Sequence, residues 1–209
     1  MMEDLILFGG GGHCRSCIDV IEEGKEYHIA GIIDVAEKVN QSVLGYGIIG
    51  TDDDLNRLVK KCRNFLVTIG QIGSAEVRVE KFDLLKRLGA VLPVIISPLA
   101  HVSRRSIVGE GTIIMHNVVV NAGARIGRNC IINTGAIIEH DAVIGDHCHI
   151  STAAVVNGGT VVGAKTFLGS NSETKQYIEI GEGSLVNSGI SVRKSVPPGK
   201  KILLEKSRH

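Results

Sequence analysis

The second half of the chain carries a hydrophobic pattern with a period of six. From residue 100 to residue 195 it divides, without insertion or deletion, into 16 hexads that begin AHVSRR, SIVGEG, TIIMHN, VVVNAG and end SLVNSG, ISVRKS. Their third positions run Val102, Val108, Ile114, Val120, Ile126, Ile132 and on to Val192, 15 of 16 aliphatic, with Thr174 the exception. First positions are mostly Ala, Ser, Thr or Cys. A helix needs apolar positions every three to four residues, so a period of six argues against one. A parallel β-helix fits it, each hexad being a short strand plus a corner with the third side chain turned inward. Glycine recurs in the fourth position at Gly109, Gly127, Gly145, Gly163 and Gly181, every 18 residues. Three hexads then make one triangular coil, and a glycine at one corner of each predicts a turn with positive φ there. Stacked at the strand spacing of ~4.8 Å, about five coils give a prism roughly 25 Å long.

Before the repeat the pattern changes. Residues 4–9 read as a buried strand, Cys14 to about Glu22 as a helix, residues 28–34 (HIAGIID) as a second strand, 52–62 and 75–88 as helices, and 65–70 and 90–96 as further strands. This alternation predicts a small parallel sheet flanked by helices. Pro93 and Pro98 mark the passage out of it. Two domains are therefore expected: an α/β domain over residues 1–97, and a β-helix with a short C-terminal tail over 98–209.

Between the first strand and helix lies Gly9-Gly10-Gly11-Gly12-His13, and Asp34 ends the next strand. A glycine loop opening a helix offers backbone N–H groups to a phosphate, and an acidic residue about twenty positions on suits a ribose or base. Cys14 stands where the third glycine of a dinucleotide fingerprint belongs, which weakens an NAD reading. A phosphate site and a plain structural turn both remain open on these residues.

Composition narrows the partners. Lys plus Arg number 23 against 22 Asp plus Glu, no surplus of the kind that binds nucleic acid or an anionic membrane. The N-terminus lacks a basic segment ahead of its apolar run, and no run approaches the ~18–20 apolar residues of a membrane span. A cytoplasmic protein is expected. The five cysteines are an odd number at irregular spacing and read as reduced thiols. His147-Cys148-His149 and Cys14-x-x-Cys17 have no second pair at zinc spacing, so no metal site is expected.

Together, FGGGGH, GIID, TIG before a helix, and a hexapeptide prism containing IIEHD resemble the NeuD/PglD-like sugar acyltransferases over nearly the whole chain. The resemblance implies a Rossmann-like domain followed by a left-handed β-helix, a homotrimer, and acetyl-CoA as co-substrate. It implies transfer of acetyl to the amine of a nucleotide-activated amino-sugar, or alternatively to a hydroxyl of sialic acid. By residue, it makes Gly10, Gly11, Gly12 and His13 the diphosphate loop, with Asp34 a uracil or ribose contact and Gly70 on a nearby strand end. His140 becomes the general base and Asp141 its acidic partner. Gly158, one coil beyond His140, would supply an oxyanion N–H, and His149, Gly158 and Phe167 would face the cofactor. Two departures stand out. Hexad SETKQY puts Thr174 in the aliphatic row, where a bulge or binding is expected, and the chain runs Pro197-Pro198-Gly199-Lys200 where the family carries a Gly-x-Pro-Ala-Lys-like segment near CoA. The competing classes are a non-catalytic nucleotide-sugar-binding module and a zinc-dependent hexapeptide protein.

Overall fold

The computed structural model describes residues 2–204; Met1 and the last five residues of the expected tail lie outside the described residues. The first strand, β1 (Glu3–Phe8), ends in four buried apolar residues, as a strand covered on both faces must. It leads into α1 (Gly12–Gly24), which buries Cys14, Cys17, Ile18, Val20 and Ile21 along one side and stops at Lys25, whose left-handed backbone sends its N–H to the Ile21 carbonyl. Then follow β2 (Tyr27–Ile33), β3 (Ser42–Val43), β4 (Tyr46–Gly50), α2 (Leu55–Lys61), β5 (Asn64–Val67) and α3 (Glu76–Arg87). The sheet order is β3-β4-β2-β1-β5, parallel except for β3.

Two expectations need correcting here. The β3–β4 hairpin was not foreseen, because its two-residue turn is Leu44-Gly45, both at positive φ, without the usual Asn-Gly signal. Residues 90–96 are not a strand of this sheet: Val91 makes a single bridge to Asn64, and Ile95–Ile96 pair with Ile113–Ile114 in the prism.

The repeat folds into three parallel sheets of two-residue strands, the edges of a triangular prism. One edge carries Ile113–Ile114, Ile131–Ile132, His149–Ile150 and Phe167–Leu168, and the α/β domain docks on it. The second carries Val119–Val120, Ile137–Ile138 and Val155–Val156, and the third Arg125–Ile126, Val143–Ile144 and Val161–Val162. Third-position side chains from Ile114 to Val186 are buried inward, Thr174 among them. The expectation of positive φ at the fourth-position glycines is overturned. The left-handed residues sit at the sixth position, including Asn117, Asn129, Asp141, His147 and Tyr177. Glycine is needed at the fourth because a Cβ on Gly109 would lie 2.6 Å from the Gly127 carbonyl carbon one coil away. Close approach of coils fixes the residue there, and the turn is made two positions later.

Polar side chains lock the domain to the docked edge. Arg78 of α3, 1% exposed, donates to the Ile69 carbonyl at 2.8 Å and to the Asn129 carbonyl and side-chain oxygens, and Asn129 returns a bond to the Arg78 carbonyl. Burial pushes this guanidinium down to about 10. His116 joins Ser97 Oγ at 2.6 Å to Asp19 Oδ2 at 3.1 Å.

Candidate active site

At the C-terminal ends of β1 and β2, the chain breaks into loops around a cavity of about 780 Å³. Gly11, Gly12, His13, Asp34 and Gly70 line it. Gly10 does not, and its N–H donates to Asp34 Oδ2 at 2.7 Å, which corrects its place among the phosphate donors. The first-turn amides of α1, at Gly12 and His13, have no partner within the helix and remain for an anion. Asp34 is also held by the Val35 N–H at 2.8 Å and the Lys38 ammonium at 2.9 Å. Burial works to raise its pKa, yet these partners keep it below the usual carboxylate range, so it stays ionised at neutral pH.

Gly12, His13 and Gly70 also border a second cleft, of about 710 Å³, whose far wall is Asn133, Thr134, His149 and Thr152 of the prism. His149 Nδ1 donates to the Gln71 carbonyl at 2.6 Å, its Nε2 faces the Asn133 amide at 3.2 Å, and its ring meets Phe167 edge-on at 5.2 Å. Burial, with nearby Arg78, holds His149 down to about 4; His13 is held down to about 3 by burial, Arg78 and His149. Both are neutral in this cleft at physiological pH.

The remaining site residues stand elsewhere, at the vertex between the second and third edges. His140 Nδ1 lies 3.0 Å from Asp141 Oδ2, with side chains 49% and 70% exposed. The pair fits between two glycines of neighbouring coils. A Cβ on Gly123 would overlap the Asp141 carboxylate, and one on Gly158 would lie 2.6 Å from His140 Nε2. Among the described residues the Gly158 N–H meets no acceptor. A histidine whose outer nitrogen is bare beside a free amide can take a proton while the amide receives developing negative charge. The structure thus brings His140, Asp141 and Gly158 together, and separately gathers Gly11 to His13, Asp34, Gly70, His149 and Phe167. Gly123, Gln71 and Asn133 were missed in the sequence; a glycine one coil before a candidate base was the available signal for the first. Among the described residues no three His, Cys, Asp or Glu side chains converge as metal ligands, and no helix is long and apolar enough to cross a membrane.

Comparison with known proteins places two family models on the chain. Residues 4–84 match the PglD N-terminal domain family, and residues 105–140 and 123–158 match the bacterial transferase hexapeptide (six repeats) family. No curated protein matches the chain. Among solved structures, PerB from Caulobacter crescentus in complex with CoA and GDP-perosamine is 32% identical, with a TM-score of 0.88 over 95% of this chain and 92% of that one. A histidine-to-asparagine mutant of perosamine N-acetyltransferase from the same organism, also with CoA and GDP-perosamine, is 30% identical, with a TM-score of 0.90 over 98% and 96%. The acetyltransferase domain of PglB from Neisseria gonorrhoeae FA1090, in complex with acetyl coenzyme A, is 28% identical, with a TM-score of 0.88 over 96% of each chain. The prism is accordingly a left-handed β-helix.

Proposed function

The chain belongs to the NeuD/PglD-like family of hexapeptide-repeat sugar acetyltransferases, and from that premise we propose that it moves acetyl from acetyl-CoA to the amino group of a nucleotide-activated amino-sugar. It is an acyl-CoA-dependent sugar acetyltransferase; the amine and the nucleotide are our reading. One juxtaposition carries it: a single chain holds both a histidine–carboxylate pair under a free glycine amide and a large cavity at a helix N-terminus. A sialic acid acceptor, without a diphosphate, would leave the Gly12 and His13 amides unused.

His140 Nε2 removes a proton from the attacking amine, and Asp141 orients the ring and stabilises the imidazolium. Gly158 donates to the acyl oxygen as negative charge grows there. As the new C–N bond forms and the C–S bond breaks, His140 hands its proton to the departing sulfur. Exposed Lys175 and Lys194 lie on the same vertex one and two coils beyond Gly158, chemistry suited to the phosphates of CoA. Residues 1–97 bind the sugar nucleotide and 98–209 perform the transfer.

This arrangement calls for a homotrimer. The second cleft, which shares Gly12, His13 and Gly70 with the cavity, opens on the docked edge, while His140 occupies the opposite vertex, one hexad of chain away, roughly 20 Å when extended. A neighbouring copy would bring its vertex to the cavity. Calorimetry with UDP, GDP, dTDP and CMP, together with acetyl transfer to their 4-amino-sugar derivatives and to sialic acid, tests the acceptor. Nucleotide binding and N-acetylation are expected; acetylation of sialic acid with no nucleotide bound would overturn the amine reading. A monomer by light scattering at micromolar concentration would remove the shared site.

A further inference from the structure

Along the prism, the fourth residue of a hexad donates its N–H to the carbonyl of the inward residue one coil on. Asn121 donates to Ile138, Glu139 to Val156 and Lys175 to Val192 on the second edge, and Gly109, Gly127, Gly145 and Gly163 do the same on the third. At Asn157 the rule breaks. Its N–H goes to Thr174 Oγ1 at 3.0 Å, and the Thr174 carbonyl instead takes the Asn157 side-chain amide at 2.6 Å. Between these two strands only Val155 and Glu173 stay paired, where the strands on either side pair twice.

Thr174 is 2% exposed in a row otherwise filled by aliphatics, and a buried hydroxyl there costs free energy unless it is bonded. It is fully bonded. Thr160 Oγ1 lies 3.2 Å away and donates to the Lys175 carbonyl at 2.9 Å, so the Thr174 hydroxyl donates to Thr160 while accepting from Asn157. Asn157 is also gripped at its own carbonyl by the Thr160 N–H at 3.1 Å. The next group along the chain is the Gly158 N–H, beside His140 Nε2. Valine would fill the same space without this network, so packing does not explain threonine.

We infer that Thr174 and Asn157 are positioning residues: by replacing one rung of the ladder with a side-chain pair, they set the Asn157–Gly158 peptide so that its N–H meets the acyl oxygen. The inference rests on the acetyltransferase reading and deepens it.

The test compares Thr174→Val, Thr174→Ser and Asn157→Ala, measuring release of CoA thiol from acetyl-CoA with the 4-amino-sugar nucleotide of the panel above that turns over fastest. Thr174→Val and Asn157→Ala should lower kcat about tenfold to a hundredfold, with KM for both substrates within about twofold, and Thr174→Val should melt no earlier than wild type. Thr174→Ser, which keeps the hydroxyl, should restore most of the rate. Wild-type turnover in Thr174→Val, or a serine variant as slow as the valine one, would overturn the inference. His140→Ala separates the two levels. If it turns over normally, the reading of this vertex fails; if it is inactive while Thr174→Val is not impaired, the positioning role alone fails.

Discussion

His140 and His149 are nine residues apart on one repeat, and their surroundings make them opposites. His140 stands half exposed at a vertex, bonded to an exposed carboxylate, with one nitrogen bare. His149 lies buried on the docked edge with both nitrogens engaged, one by the Gln71 carbonyl of the other domain. His140 is the fifth residue of its hexad, at a corner, and His149 the second, on an edge strand, so register together with what covers that position decides whether a histidine can exchange protons or can only brace.

The largest expected difference follows directly. His140→Ala should cost about 10²–10⁴ in kcat, equivalent to about 3–5 kcal/mol in the barrier, with an unchanged Tm because the side chain is a surface group. A fall in Tm would erase the contrast with His149.

Acidification acts on the other region. The unfolded chain protonates His13 and His149 near pH 6.5, the folded chain only near 3 and 4. Between those limits the unfolded state binds more protons, so stability is full above pH 6.5 and falls as pH drops. Each histidine contributes about 1.4 kcal/mol per pH unit, so the pair removes about 4 kcal/mol by pH 5. Urea unfolding from pH 7.5 to 5 checks this. A flat profile would mean the docked edge is not buried in solution.

His149→Ala comes next, at about 2–3 kcal/mol of stability for lost buried hydrogen bonds and contact with Phe167. It should also remove His149's share of the acid slope, about 1.4 kcal/mol per pH unit, which a general loosening of the fold would not do.

The two regions also differed in how far they could be read. The prism announces itself because its period is local and repeats, whereas the roles expected of His140 and Asp141 came from the resemblance of IIEHD to a family stretch and not from the period. The docked edge was not legible: Arg78 meets Asn129 across 51 residues and His149 meets Gln71 across 78, and neither pair leaves a pattern. Even within the repeat, periodicity located the glycines without saying why they were there; only the distance between coils shows that they answer to close approach and not to a turn. Thr174 was visible as an exception, but its use depends on a hydrogen bond to a residue 17 positions earlier.

The smallest effect is expected at Asp141, and it isolates charge from shape. Its φ of 58° lies in the left-handed region, which asparagine tolerates as well as aspartate does, so Asp141→Asn keeps the corner. The amide can still face His140 Nδ1 at the 3.0 Å the carboxylate occupies. What is lost is the negative charge beside a developing imidazolium. In a buried triad that loss is severe, but this carboxylate is 70% exposed and water screens it. The expected fall in kcat is therefore about tenfold or less, smaller still at high salt, where screening already weakens the wild-type pair. A loss as large as that of His140→Ala would mean that a neighbouring copy buries the vertex, and the contrast between an open vertex and a covered edge would then hold for the single chain but not for the assembly.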